Sequence, residues 1–293
     1  MNETEFIAAL RHLPLHEGAR GLADDVAVLS LGDHTLVITH DMLVEGRHFL
    51  KGQDMADVAW KLVATNLSDL AAKGAEPLGV VLGYMLGAGD DAFVEGLDDV
   101  LSHYGVPLLG GDTVAGAPDG KGGQAMGLTA IGKAAHTPVP ARAGARIGDA
   151  IFVTGVLGKA MLGFEALRDG TGADATAYSR PMARLAEGFD LAPLATAMMD
   201  ISDGLLLDAF RMAEASEASF AIQGADVPVA DEARRDDCLR WGDDYELLFT
   251  LPEGTFPPVQ ATRIGAVEAR GFAPLFLDGE PIINSDGLGY MHK

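Results

Sequence analysis

One cysteine, Cys238, is all the thiol chemistry in the 293-residue chain, which excludes an internal disulfide and fits a reducing compartment. Positive charge is also scarce: 21 Lys and Arg stand against 43 Asp and Glu, a net charge of −22. A surface of that sign repels nucleic acid and anionic lipid, so neither is an expected partner. Long apolar runs are missing. The longest nearly uncharged stretch, residues 77–89, falls well short of the ~20 residues that span a bilayer. The opening MNETEFIAAL has no basic region followed by an apolar one, so no secretory signal is read and a cytoplasmic location is expected.

Familiar phosphate-binding and catalytic devices are missing as well. No GxxxxGK[ST] loop occurs: Gly120–Lys121–Gly122 and Gly158–Lys159 lack the spacing and the following hydroxyl. There is no kinase HRD or DFG signature, no GxGxxG after a strand and no GxSxG elbow. A zinc site is excluded by one Cys and by the lack of well-spaced His pairs; His12 and His16 flank Pro14 and read as surface residues. No DxDxDG loop supports a calcium module. If ATP binds here, carboxylate-held metal must carry much of the phosphate recognition.

What is present is an ordinary globular composition, 48% hydrophobic and 22% charged, long enough for two domains of about 150 residues. Apolar runs at 35–39, 78–84, 125–131, 150–154 and 247–251 read as strands, several continuous enough to be covered on both sheet faces. Helical spacing marks 55–73, 92–104, 161–168, 180–190 and a segment from Ser202 to about Ser216. Residues 136–148, HTPVPARAGARIG, are rich in Pro, Gly and Arg and mark a boundary. The expected fold is α/β (α+β), two halves of mixed sheet covered by helices, divided as 1–140 and 141–293. Shorter strands and longer loops are expected over 226–281.

Six motifs put Asp beside a glycine or small residue at the end of an apolar run: GLADDVA, ITHDMLVEGRHF, NLSD, GGDTV, MDISDGL and WGDDYEL. Strand ends present side chains rigidly at a cleft, and an adjacent glycine lets a phosphate or metal approach the backbone. Each motif alone reads first as a turn. Two residues resist that reading. Asp69 lies three residues after Asn66 on the apolar face of a helix, where an unpaired charge is costly. Asp200 ends the apolar run ATAMMD; Ser202 is expected to cap the next helix with Asp203 in its first turn, which accounts for Asp203 but not Asp200. Mg2+ takes oxygen ligands from a few carboxylates together with phosphates, which suits such a set.

In their order along nearly the whole chain, GLADDVAVL, ITHDMLVEGRHF, VAWKLVATNLSDLAAKGAEP, LLGGDTV, RAGARIGDAIFVTGVLG, MDISDGLLLD, WGDDYELLFT and the closing GLGY resemble the thiamine-monophosphate kinase family. That family belongs to the aminoimidazole ribonucleotide synthetase-like superfamily of ATP users. The resemblance implies two domains, the N-terminal one contributing its sheet to the β-barrel of a homodimer. It implies ATP and several Mg2+ ions in a cleft lined by both halves, and direct in-line transfer to thiamine monophosphate.

By motif, Asp25, Thr39, Asp41, Asp69, Asp112 and Asp200 would be metal ligands, with Asp203 on a further ion. Tyr104, Gly111, Asp112, Arg142 and Ser202 would contact ATP; His48, Asp243 and Tyr290 would face the acceptor. Three positions depart from the family pattern. Ala23 replaces a glycine, which is tolerable unless the backbone needs a positive φ. His40 replaces a small residue and would offer a metal its backbone carbonyl. Asp243 replaces a Glu and shortens the carboxylate by one methylene. Outside the motifs, Trp60 reads as packing, and Trp241 as either packing or site.

Two other readings are open at this stage. A sister enzyme of the superfamily would be a selenophosphate synthetase, which needs a reactive Cys near the N-terminus, or a hydrogenase-maturation protein, which ends in a Cys. It could also be an aminoimidazole ribonucleotide synthetase. Cys238 and the ending GYMHK fit neither of the first two. A non-catalytic acidic metal-binding protein needs no ATP site.

Overall fold

The structure, a computed structural model, describes residues 3–116 and 123–291, so the Gly120–Gly122 run lies outside the described residues. Strands β1 (Ala27–Leu31), β2 (His34–Val44), β3 (Ala75–Leu86), β4 (Leu108–Ala115) and β5 (Ala125–Ala134) form one sheet, in the order β1-β2-β5-β3-β4. All its pairs are antiparallel except β3 with β4. Helix α1 (Glu3–Leu10) precedes it. Helices α2 (Met55–Ala71) and α3 (Asp90–Tyr104) cover one face of it and pack on each other.

A second sheet takes the order β12-β11-β8-β10-β6-β9-β7, from β6 (Ala150–Thr154), β7 (Ala197–Asp200), β8 (Ser219–Ile222), β9 (Leu247–Leu251), β10 (Ala261–Glu268), β11 (Leu275–Leu277) and β12 (Glu280–Ile282). Around it lie α4 (Lys159–Asp169), α5 (Thr176–Ser179), α6 (Leu185–Leu191), α7 (Leu205–Ala215) and α8 (Arg235–Arg240). The mixed two-sheet α/β architecture is the one expected. Residues 135–149, where the boundary is expected, hold no helix or strand.

Helix α2 positions the site. Asp54 caps it by accepting from the Ala56 amide at 2.9 Å. Fourteen of its seventeen residues are buried, because it lies between the first sheet, α3, α6 and β7. Such a helix reads as apolar nearly all round, so its polar residues Lys61, Asn66, Ser68 and Asp69 must find partners inside.

Three expectations need correction. Strands β6, β7 and β9 are buried along their whole length, as continuous runs should be, but the first sheet is covered on one face only. Met42, Val81 and Val114 stand exposed on the other face and β4 is exposed throughout. The helix expected from 180 begins at Leu185, after an irregular stretch. The helix expected from Ser202 begins at Leu205 with Gly204 (φ 108) before it, and Ser202 makes no side-chain cap. Asp208, inside the helix, does that work instead: its Oδ2 accepts from the Ser202 and Asp203 amides at 3.1 and 3.0 Å. Ala23 sits at φ −114, so its departure from glycine costs no backbone strain.

Candidate active site

Three carboxylates from three segments converge where α2 meets both sheets. Asp25 precedes β1, Asp69 lies in the last turns of α2 and Asp200 ends β7; one oxygen from each lies within 4.8 Å of the others. Thr39 on β2 donates its hydroxyl to Asp69 Oδ2 at 2.5 Å. Ser68 donates to Asp200 Oδ2 at 2.6 Å. Asp41, two residues beyond Thr39 and on the same face of β2, has its amide held by the Asn66 carbonyl oxygen at 2.9 Å. Asn66 donates in turn to the Leu62 carbonyl, so this buried amide is satisfied on both sides.

Like charges this close in a buried place oppose ionisation. Burial, then Asp41, Asp200 and Asp25, push the Asp69 carboxyl well above the usual range. Burial and Asp25 raise Asp200 to about 7, against the lowering effect of the Ser68 hydrogen bond. Asp25 Oδ2 is buried with no hydrogen-bond partner. Crowded carboxylates, a hydroxyl and an orphaned carboxylate oxygen are the donor set a hard divalent cation takes, and they fit Mg2+.

Positive side chains flank the cluster. Arg142, from the segment between β5 and β6, forms an ion pair with Asp25. Burial lowers the guanidinium's proton affinity, but Asp25 and Asp208 outweigh it and hold Arg142 above its usual range. Beside Asp25, Asp24 takes Lys73 at 2.6 Å and Arg20 at 2.5 Å. Burial pushes the Asp24 carboxyl up, yet Lys73 and Arg20 overcome it and hold it below the usual range. Lys73 is fully buried and also donates to the Met198 carbonyl at 3.3 Å. It thereby ties the Asp24–Asp25 turn to β7.

Past Asp200 the chain turns into α7. Asp203 pairs with Arg211 at 2.5 Å, and Arg211 also reaches Asp208 at 3.1 Å. Burial and Asp203 raise the Asp208 carboxyl to about 8. The Tyr290 amide donates to the Asp203 carbonyl at 2.9 Å, which brings the C-terminal GLGY segment onto this turn.

A second polar group lies beside Lys61, earlier on α2. Its ammonium, 1% exposed, contacts Asp243 Oδ2 at 2.8 Å and the His48 carbonyl at 3.2 Å, and lies 3.9 Å from the centre of the Tyr178 ring. Tyr178 donates its hydroxyl to the same His48 carbonyl at 3.1 Å. Asp243 Oδ1 accepts from Tyr245 at 2.9 Å. The His48 ring accepts the Val44 amide on Nδ1 at 3.0 Å. The backbone of 243–246 runs along 201–202, with Asp243 donating to Ser202 at 2.8 Å and Tyr245 to Ile201 at 2.9 Å. The neighbouring Asp244 turns away to hold the Gly158 amide at the start of α4.

Other predicted residues are not gathered with the cluster. The His40 ring lies on the exposed face of β2 against Thr129 at 2.9 Å, as strand alternation requires beside Thr39 and Asp41, so only its backbone could serve a metal. Gly111 and Asp112 lie on exposed β4. Asp41, Leu128, Leu82 and Gly111 stand opposite one another on adjacent strands. That puts Gly111 three strand spacings, about 14 Å, from Asp41. Gly111 has a packing reason to be glycine, since a Cβ would come within 2.1 Å of the Leu82 carbonyl. Tyr104, at the end of α3, accepts the Ala183 amide at 2.9 Å and packs near Trp60. Trp60 donates to the Pro181 carbonyl, consistent with packing. Trp241 lies against Phe164.

Lys61, Ser68, Lys73, Asp24 and Asp208 belong to these networks although no motif assigns them a role. Lys61 and Lys73 carried a usable signal: the first is a cation inside a largely apolar helix, and the second follows the apolar Leu70–Ala72 end of it.

Comparisons with known proteins give the family. The family described as AIR synthase related protein, N-terminal domain, matches residues 23–134, and its C-terminal domain family matches 146–272. Thiamine-monophosphate kinase of Escherichia coli K12 is 37% identical, over 93% of this chain and 91% of its own length. A solved structure described as AaThiL complexed with AMPPCP and TMP aligns over 100% of this chain and 97% of its own, with a TM-score of 0.86 and 27% identity. Thiamine-monophosphate kinase from Stenotrophomonas maltophilia K279a aligns over 95% and 96%, with a TM-score of 0.75 and 30% identity. With both family domains matched and a curated relative this close over nearly its full length, the chain belongs to the thiamine-monophosphate kinase family.

Proposed function

We infer that the chain phosphorylates thiamine monophosphate to thiamine diphosphate at the expense of ATP. The observation that carries this reading is the Asp25–Asp69–Asp200 cluster with Arg142 beside it, in a chain 37% identical to a thiamine-monophosphate kinase. An oxygen of the acceptor phosphate attacks the γ-phosphorus of ATP. The new P–O bond forms as the bond to the β–γ bridging oxygen breaks, and ADP leaves with that electron pair. The attacking oxygen is already anionic, so the chain need not supply a strong base; its contribution is positioning and electrostatics.

Mg2+, when bound, would supply the positive charge that lets anionic phosphates enter an acidic cleft. Asp25, Asp69, Asp200, Thr39 and Asp41 are the residues that would hold it, with Asp203 able to hold a further ion. Arg142 would add a fixed charge on the ATP phosphates. Ser202, Tyr104, Gly111 and Asp112 would serve the rest of the nucleotide, Gly111 from about 14 Å across the sheet. His48, Asp243 and Tyr290 would face the acceptor. This rests on the motifs and on the proximity of the Asp243 and Asp203 turns.

The uncovered face of the first sheet, with Met42, Val81 and Val114, supports a homodimer in which a second copy covers it, closing a barrel. Sedimentation equilibrium at the mass of a 30.6 kDa monomer would contradict this. No helix among the described residues is long and apolar enough to cross a membrane; with the single Cys, this supports a cytoplasmic enzyme. The functional reading is tested by incubating the protein with ATP and thiamine monophosphate, with and without Mg2+. Thiamine diphosphate is expected only with Mg2+.

A further inference from the structure

We propose that Lys61 is the positioning residue for the ring end of the acceptor, acting through Asp243 and the His48 carbonyl. The proposal rests on the reading of thiamine monophosphate as the acceptor and adds to it the part that holds the acceptor-side groups.

A lysine 1% exposed in the middle of a helix loses several kcal/mol of hydration, and a buried ion pair seldom returns more than an apolar pair of equal volume would. Stability alone therefore gives little reason for Lys61. Its three contacts are specific instead. The ammonium reaches Asp243 Oδ2 at 2.8 Å and the His48 carbonyl at 3.2 Å, and the Tyr178 ring lies beneath it at 3.9 Å. These groups come from α2, from the turn after β2, from α5 and from the loop before β9, four segments with no other single side chain in common among the bonds described.

Both oxygens of Asp243 are thereby tethered, Oδ2 by Lys61 and Oδ1 by Tyr245. Asp243 also sits at φ 57, a left-handed conformation that its short side chain tolerates. Its side chain remains 29% exposed. A carboxylate oxygen has two acceptor sites, so one lone pair on each oxygen stays available to an N–H donor from a heteroaromatic ring. Lys61 precedes Asp69 by eight residues on the same helix, a rise of about 12 Å. One rigid element thus sets the distance between the metal-binding end of the cleft and the ring-binding end.

The test is a double-mutant cycle on KM. In Lys61→Met, KM for thiamine monophosphate should rise by about tenfold or more while KM for ATP stays within about twofold. In an Asp243→Asn background the same change should add less than about twofold, because Lys61 then has no carboxylate to position. Lys61→Gln keeps a donor in the pocket and serves where Lys61→Met fails to fold by circular dichroism; the same split is expected. An unchanged acceptor KM, an equal rise in both KM values, or independent effects of the two substitutions would overturn the proposal. If the wild-type protein forms no thiamine diphosphate, the functional reading has failed first, and no variant is needed to see it.

Discussion

Ser68 donates its hydroxyl to Asp200 Oδ2 at 2.6 Å, so one residue of α2 holds a carboxylate from the second sheet while the next residue, Asp69, is held by Thr39 from the first. The cluster therefore exists only when α2 is seated between both sheets. The Ser68 hydrogen bond lowers the Asp200 carboxyl against burial and Asp25, which raise it to about 7. In Ser68→Ala that lowering is lost. The acid limb of the kcat/KM profile should move to higher pH, and the Mg2+ requirement at neutral pH should rise by about threefold to tenfold. A pH–rate profile with the limb unmoved would show that Asp200 does not titrate in the catalytic range.

Asp69→Asn and Asp200→Asn should each lower turnover by about a hundredfold or more, because each removes an anionic group from the set proposed to hold Mg2+ among phosphates. Neither should unfold the protein. Both remove a carboxylate that burial and its neighbours oppose, so metal-free melting temperatures should equal or exceed the wild type. Near-wild-type turnover in either variant contradicts the site.

Stability without metal should fall as pH rises. The sign follows from the direction of the shifts: folded Asp200 keeps its proton to about 7 and Asp69 is also raised, whereas in the unfolded chain both lose it near 4. Between those values the folded state binds more protons than the unfolded one. Unfolding free energy therefore declines from about pH 4 to about pH 7 through these two groups, and on to about pH 8 through Asp208, which is raised in the same sense. Mg2+ should reverse the decline, most strongly at the high end. Urea titrations from pH 5 to 8, with and without Mg2+, read this directly; a metal-free stability that rises through the window would contradict it.

Asp208→Leu should destabilise the protein by about 1–3 kcal/mol, since the Ser202 and Asp203 amides would lose their acceptor in a half-buried turn. The Asp203–Arg211 pair would lose its support as well. Urea unfolding gives the stability. A loss below ~1 kcal/mol would mean that water replaces the carboxylate.

Much of this was legible in the sequence because the strands that matter are continuous apolar runs and the motifs sit at their ends. The runs at 150–154 and 247–251 appear as fully buried β6 and β9. Asp69 and Asp200 stood out as charges on apolar elements, and both are buried in the cluster. The rest depended on contacts between distant segments. Ser202 looked like a cap, but nothing local reveals that Asp208 reaches back to do that work. The one-sided cover of the first sheet was hidden, because an apolar strand reads alike whether a helix or nothing in the same chain lies against it. Lys61 finds its partners at positions 48 and 243, across a separation no short motif spans.

The central claim is tested most directly by following the label from [γ-32P]ATP in the presence of Mg2+ and thiamine monophosphate, with products separated by chromatography. The account predicts that label appears in the terminal phosphate of thiamine diphosphate, in step with ADP, and disappears from that product when EDTA removes the metal. Label released only as inorganic phosphate, or thiamine diphosphate formed equally well without Mg2+, would contradict it.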